Sequence, residues 1–300
     1  MSMRKEFPSS AESQIPLKFL KDSPSYDESK PYYVSGLLPH HQEVFRTNIE
    51  YEILSQSRLY DLRGYERQLS IDRHGFEIID IPSNTVSLDV RGSQKLQYME
   101  MMTELARETL GGSFALCYDC RFRSSESLKR SSTRQNIGTA VDPDIPAEAA
   151  HVDLTRESAA RRAKRHLTAK EADTYLNDDW RLRIINIWRP FDIVNDFDLM
   201  YCDTSTVRPT DLVAVDRVST EYVGEVYMLK PRDYYDWYWL SHQKPSEASL
   251  FVSYDSRPGS GPSFCPHTSA KNTQVTNLCK PRESVELRII VFSPDGDKAS

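Results

Sequence analysis

Apolar residues change their spacing several times along the chain, and each change marks a segment. Residues 1 to about 30 are rich in Ser, Pro, Glu and Lys with few large apolar side chains, which predicts a poorly ordered N-terminal arm. From Tyr32 to Ile81, short apolar runs such as Glu52-Ile53-Leu54, Leu59-Tyr60-Asp61-Leu62 and Phe76-Glu77-Ile78-Ile79 alternate with turn residues and predict strands and hairpins. Between Ser93 and Leu110 the period lengthens: Leu96, Met99, Met102, Leu105, Ala106 and Leu110 recur every three or four residues, and Gly111-Gly112 offers a stop. This is an amphipathic helix, with Met99, Met101 and Met102 as core filler. Phe114 to Tyr118 then reads as a strand, which would turn Cys117 and Cys120 to opposite faces.

Ser124 to Ala150 has almost no large apolar residue and no period, so it is a long loop: either a lid over a site or an unstructured insertion. Helices follow over Thr155–His166 and Thr168–Leu176, the second opened by a capping box of Thr168 and Glu171. From Arg181 onward the pattern is that of strands, at Arg181–Trp188, Asp211–Val215, Glu225–Leu229, Trp237–Leu240, Leu250–Tyr254 and Glu283–Phe292, spaced as in an antiparallel sandwich or barrel.

Composition narrows the function. With 27% charged and 39% hydrophobic residues, the chain is globular, and its formal charge of -6 disfavours a nucleic-acid partner. The basic run Arg161-Arg162-Ala163-Lys164-Arg165 therefore reads as a solvated helix face. No apolar run reaches the roughly 18 residues of a membrane span, and no apolar signal core follows Met1. Five cysteines, odd in number, suit reduced thiols in the cytoplasm, and the lone C-x-x-C lacks the second ligand pair of a structural zinc site.

The candidate chemistry lies in His151-Val152-Asp153, in His267, and in Arg282 fifteen residues later at the head of the last strand. On an extended segment, His151 and Asp153 point the same way. Two imidazoles and a carboxylate can occupy one face of an Fe(II) octahedron and leave the other open. Arg282 can grip a carboxylate with two parallel hydrogen bonds; Ser284, Glu286 and Arg288 share its face, making Arg288 a second candidate anchor. That polar face belongs either to solvent or to a ligand cavity.

These residues, with Phe45-Arg46-Thr47-Asn48, Asp61-Leu62-Arg63-Gly64, His74-Gly75-Phe76, Arg183-Ile184-Ile185-Asn186-Ile187-Trp188-Arg189-Pro190, Tyr201-Cys202-Asp203, Asp211-Leu212-Val213, Gly224-Glu225-Val226-Tyr227, Tyr254-Asp255-Ser256, Pro266-His267-Thr268 and Pro281-Arg282-Glu283-Ser284, run in an order that resembles a known family. It is the fungal non-haem iron hydroxylases and desaturases related to gibberellin desaturase and a cephalosporin methoxylase component, among the 2-oxoglutarate-dependent oxygenases. The resemblance implies a mainly β fold with flanking helices and a double-stranded β-helix (jelly-roll, cupin-like) core. One oxygenase domain would span 31–300: an extension over 31–123, a loop or lid over 124–150 and the core over 151–292.

It also implies Fe(II) on His151, Asp153 and His267, 2-oxoglutarate on Arg282 with help from Ser284, and O2 as the third reactant. The implied reaction decarboxylates 2-oxoglutarate to succinate and removes a hydrogen atom from a small secondary metabolite, which ends hydroxylated, desaturated or cyclised. Asn186, Trp188 and Arg189, with Tyr118, Arg121 and Arg123 ahead of the loop, are the candidate substrate contacts. The chain departs from the family at Leu116–Cys120, where a Phe-Asp-His run is common, and at Ala270, where an aromatic residue is. Both changes reshape a substrate pocket. The rival readings are a non-catalytic jelly-roll binding protein and a metal-dependent hydrolase on a cupin-like barrel. The expected partner is a small molecule, with neither nucleic acid nor membrane, and the expected state is a monomer or homodimer.

Overall fold

The computed structural model describes residues 3–7, 12–36, 38–126, 143–259, 261–271 and 280–295. The strands are β1 (Glu12–Leu20), β2 (Tyr32–Val34), β3 (Tyr51–Asp61), β4 (Phe76–Asp80), β5 (Phe114–Ser124), β6 (His151–Val152), β7 (Trp180–Pro190), β8 (Phe197–Cys202), β9 (Leu212–Val218), β10 (Val223–Leu229), β11 (Asp236–Trp239), β12 (Glu247–Asp255), β13 (His267–Lys271) and β14 (Glu283–Pro294). They build a nine-stranded sheet in the order β1-β3-β11-β8-β13-β6-β10-β9-β2 and a five-stranded sheet in the order β4-β12-β7-β14-β5. Side chains from both sheets interleave. Trp188 and Phe251 of the smaller sheet share a buried cluster with Leu199, Tyr201 and Tyr238 of the larger. This is the curled jelly-roll expected from the sequence, and strands from before residue 124 complete both of its sheets.

The smaller sheet is buried on both sides. Ile185, Ile187, Val285, Leu287, Ile289 and Val291 pack outward with Tyr98, Met102 and Ala106 of the helix Lys95–Thr109. The residues between them point inward, so Arg183–Pro190 is buried without a break although Arg183, Asn186 and Arg189 are polar. Leu96, expected on the core face of that helix, is instead 72% exposed, one turn short of where the sheet is covered. The helices Arg156–His166, capped by Thr155, and Ala169–Tyr175, with its Thr168–Glu171 capping box, form as the pattern predicts.

Three expectations are corrected. The N-terminal arm does not pack poorly: β1 pairs along β3, and Ile15, Leu17, Phe19 and Leu20 are buried. Its signal was masked because Pro16 interrupts the run, at an irregularity where the missing N–H costs no ladder bond. Cys117 and Cys120 do not face apart. The β5–β14 register shifts between Arg288 and Ile289, leaving Tyr118 as an extra residue, and both cysteines pack against the outer helix. Finally, β8 and β13 were not foreseen; His267-Thr268-Ser269-Ala270-Lys271 has almost no apolar residue to mark it as a strand. The expected lid falls mainly on residues 127–142, outside the described residues. Its ends are tied beside β5, where Asp144 N donates to Phe122 O (2.8 Å) and Ser124 N to Asp144 O (3.0 Å).

Phe19 is fully buried and packs on Tyr235 and Trp237. Phe19→Ala should lower the urea-unfolding free energy by about 3 kcal/mol; an arm that packs poorly would leave it unchanged.

Candidate metal centre and cosubstrate pocket

The centre is assembled by neighbouring strands. His151 on β6 lies across from His267 on β13 in the ladder, and the ring centroids are 4.4 Å apart. Asp153 follows two residues after His151. Its Oδ1 is 3.6 Å from His151 Nε2, and its Oδ2 is 3.9 Å from His267 Nε2. One donor atom from each residue lies within 4.8 Å of the others. His151 Nδ1 donates to Ala149 O (2.8 Å) and His267 Nδ1 to Cys265 O (3.1 Å), which fixes the tautomer and leaves each Nε2 lone pair for a metal. Two imidazoles and a carboxylate fit Fe(II) with positions to spare.

Asp153 is gripped on both oxygens. Arg288 Nη2 donates to Oδ1 (2.9 Å) and Asn186 Nδ2 to Oδ2 (2.5 Å), while Ser253 Oγ donates to Asn186 Oδ1 (2.9 Å). Burial alone would raise the pKa of Asp153, but Arg288 and the two imidazoles outweigh it and hold the carboxyl well below its ordinary range. Burial, with the neighbouring His151, pushes His267 down to about 4, so it stays neutral and able to ligate near pH 7.

The polar face of β14 lines the interior. Arg282, Ser284 and Glu286 are all buried. Arg282 Nη1 meets Ser269 Oγ at 3.3 Å, but its Nε and Nη2 and the Ser284 hydroxyl are buried with no partner among the described residues. Its Cζ lies 5.4 Å from the Trp188 ring and 5.8 Å from that of Phe197. The strand start is pinned, since Arg282 N donates to Ser125 Oγ (2.9 Å) and Asp196 Oδ1 (3.0 Å). Burial lowers the guanidinium pKa to about 10, which keeps it charged at neutral pH. Orphaned buried donors of this kind are costly unless a ligand accepts from them.

Other sequence candidates are placed differently. Arg288 is engaged by Asp153, by Glu286 (3.0 Å) and by Asp119 (3.4 Å), so it is not the free guanidinium that a second cosubstrate anchor requires. Asn186 serves Asp153. Trp188 lies beneath Arg282. Arg189 faces away from the cavity: its Nε donates to the Tyr98 hydroxyl (3.1 Å) on the outer helix, because it alternates with Trp188. Arg121 and Arg123 point inward, paired with Asp119 (2.8 Å) and Glu286 (3.4 Å), and Tyr118 sits at the bulge beside them. Sequence reasoning missed Glu286 and Asp119 as the carboxylates that balance these arginines; their alternation with Ser284 and Arg121 was the available signal.

A family model described as an oxidoreductase/YMDC permease-like domain matches residues 17–292. The chain belongs to that family. Family relatives include the hydroxylase/desaturase efuI of Hormonema carpetanum, 27% identical over 252 residues, which span 79% of this chain and 83% of that protein. Another is the Fe(II)/2-oxoglutarate-dependent dioxygenase nvfI of Aspergillus novofumigatus, 26% identical over 243 residues, 78% and 82% of the two chains. A solved structure of the iron and alpha-ketoglutarate-dependent endoperoxidase NvfI superposes with a TM-score of 0.76 at 22% identity, covering 95% of this chain and 99% of that one. The likeness shows a shared fold, the double-stranded β-helix. No described helix is long and apolar enough to cross a membrane.

Two outcomes follow from the grip on Asp153 and from the buried imidazole. Arg288→Gln should weaken Co(II) binding about tenfold, read from the visible absorption of the titrated metal, with 2-oxoglutarate affinity little changed; the opposite pattern would make Arg288 the cosubstrate anchor. Unfolded His267 takes a proton near pH 6.5 and the folded residue only near 4, so the metal-free protein should lose stability as pH falls through that window. Urea unfolding across pH should show His267→Gln flattening this loss by about 3 kcal/mol.

Proposed function

We propose that the chain is an Fe(II)- and 2-oxoglutarate-dependent oxygenase acting on a small secondary metabolite, with His151, Asp153 and His267 as the iron ligands and Arg282 and Ser284 as the cosubstrate anchor. The observation that carries this reading is the pairing of two features between the sheets: three metal-donor atoms within 4.8 Å of one another and, just ahead of β14 and touching Ser269 of the strand that carries His267, a buried guanidinium with two donors unpartnered among the described residues. The names of the relatives agree with it. When bound, Fe(II) and 2-oxoglutarate supply, with O2, an oxidant that takes a hydrogen atom from a substrate carbon, while the cosubstrate leaves as succinate and CO2.

The chain's own residues hold and shield. The Arg282 guanidinium and the Ser284 hydroxyl receive the distal carboxylate of 2-oxoglutarate through charge-assisted hydrogen bonds. The rings of Trp188 and Phe197 flank that guanidinium and limit its swing. Ala149 O and Cys265 O keep the imidazoles aimed, and Arg288 and Asn186 keep Asp153 aimed. Buried Trp188, Tyr201 and Phe251 close one end of the cavity to water, which keeps the oxidant from being wasted. Neither the sites nor the charge call for a nucleic acid or a membrane. The free cysteines Cys117, Cys120, Cys202 and Cys265 suit a reducing cytoplasm, and a monomer or homodimer suffices for a cavity built within one chain.

Purified protein given 2-oxoglutarate, O2 and Fe(II) should release succinate, even uncoupled from substrate, and His151→Ala should abolish that release. Arg282→Ala should raise the half-saturating 2-oxoglutarate concentration at least tenfold, by loss of a charged hydrogen-bond pair. Turnover that survives without O2 would point to a metal-dependent hydrolase instead.

A further inference from the structure

His74-Gly75-Phe76 lies outside the metal centre, yet an unbroken run of hydrogen bonds joins it to a metal ligand. His267 Nδ1 donates to Cys265 O (3.1 Å), Cys265 N to Val252 O (2.7 Å), and Val252 N to Gly75 O (2.8 Å). Gly75 closes the short helix Ile71–His74 in the left-handed region, at φ 82°, where glycine is favoured. A Cβ on it would lie 3.0 Å from Pro262 Cγ and 3.5 Å from Cys265 Cβ. The turn therefore rests directly on the residue whose carbonyl aims His267. Phe76 supplies a second route, since its ring stacks on Tyr201 at 4.5 Å and Tyr201 lies across from His267 in the ladder.

The same turn is fastened from behind by residues 3–7, which open with the helix Met3–Glu6. His74 is buried. Its Nδ1 accepts from Ser70 N (3.0 Å), so the hydrogen sits on Nε2 and is donated to Glu6 Oε2 (3.2 Å). Glu6 also meets Arg73, but that arginine side chain is 63% exposed, and a wetted pair of this kind contributes little. The ring of buried Phe7 lies 5.5 Å from that of His74. At the helix start, Met3 N donates to Oδ2 of buried Asp203 (2.9 Å), beside Cys202, whose own N donates to Pro266 O (2.8 Å). Residues 3–7 thus tie together the two stretches that bear on His267. Apolar packing accounts for Met3 and Phe7, which share a cluster with Tyr201 and Phe251. It does not account for a buried imidazole with both nitrogens engaged, because an apolar pair of the same shape would be about as stable.

We propose that His74 is a positioning residue for the metal ligand His267, and that residues 3–7 are the latch that holds it, with Glu6 as the catch. His74 acts through Gly75, Val252 and Cys265. With the latch closed, the Cys265 carbonyl is fixed and the Nε2 lone pair of His267 keeps its aim. With it open, the turn is free to shift against Cys265 and the imidazole tilts. Groups that orient metal-bound histidines typically carry about 10- to 100-fold in metal affinity, and one acting through further bonds belongs at the lower end. This role presupposes the metal centre proposed above, and deepens that reading by naming what aims one of its ligands.

Co(II) is the probe, titrated into the full chain and followed by its visible absorption. His74→Ala should raise the Co(II) Kd roughly tenfold and alter the band shape, because the imidazole no longer sits squarely on the ion. His74→Gln, whose amide can accept from Ser70 N and donate to Glu6, should restore the band and bring Kd to within about twofold of wild type. Glu6→Ala, on the outer segment, should raise Kd about threefold and carries the test where His74→Ala does not fold. Met102→Ala, which loosens the outer helix by loss of core packing, should bind Co(II) as the wild type does. Unchanged Kd and band in His74→Ala and Glu6→Ala, no recovery in His74→Gln, or an equal loss in Met102→Ala would each overturn the proposal. Wild-type protein that binds no Co(II) would overturn the metal centre along with it, so the two failures are told apart.

Discussion

The grip of Arg288 and Asn186 on the Asp153 carboxylate is the interaction on which the rest of the site depends. A carboxylate this deep would take up a proton unless cations and donors compensated it, and a protonated Asp153 could not ligate a cation. Arg288 is in turn held by Glu286 and Asp119, which are shared with Arg123 and Arg121. The ladder of alternating charge along the inner faces of β5 and β14 therefore behaves as one unit, and removing one member would leave a buried charge uncompensated. It also locks register. Sliding β14 by one residue would bring Leu287 into the cavity and turn Arg288 into the apolar layer under the outer helix.

Two irregularities adjust that register where the site needs it. Tyr118, the extra residue in β5, reverses the inward–outward alternation, so that Asp119, Arg121 and Arg123 face the cavity while Cys117, Cys120 and Phe122 face the helix. The shift in β12 between Val252 and Tyr254 leaves Ser253 beside Asn186, where its hydroxyl orients the amide that serves Asp153. In each case one extra residue converts a regular strand into a holder for a particular side chain.

Much of this was legible in the sequence, and the illegible parts have physical causes. The His151–Asp153 spacing, the capped helices and the apolar runs of β7, β12 and β14 are local patterns, and they formed where the chain signals them. Whether the polar face of β14 met solvent or a cavity was undecidable locally, since period 2 is the same in both cases; pairing with β5 and β7 decided it. A bulge leaves no mark on periodicity, which is why the Cys117–Cys120 geometry was misread. The role of Arg288 was hidden for another reason. Glu286, two residues away, does pair with it (3.0 Å), but the partner that serves the metal centre, Asp153, comes from 135 residues away.

The two imidazoles lie far apart in sequence yet need no long-range guidance of their own, because the segment just before His151 is laced to the strand that carries His267. Ser269 N donates to Ala147 O (2.8 Å), Thr268 Oγ1 to Glu148 O (2.8 Å), and Ala149 O then accepts from His151 Nδ1. Across the other side, Ala150 N donates to Lys18 O (2.8 Å), so the strand hidden in the N-terminal arm braces the same segment. These few bonds to the segment Ala147–Ala150 therefore place the first metal ligand against the second.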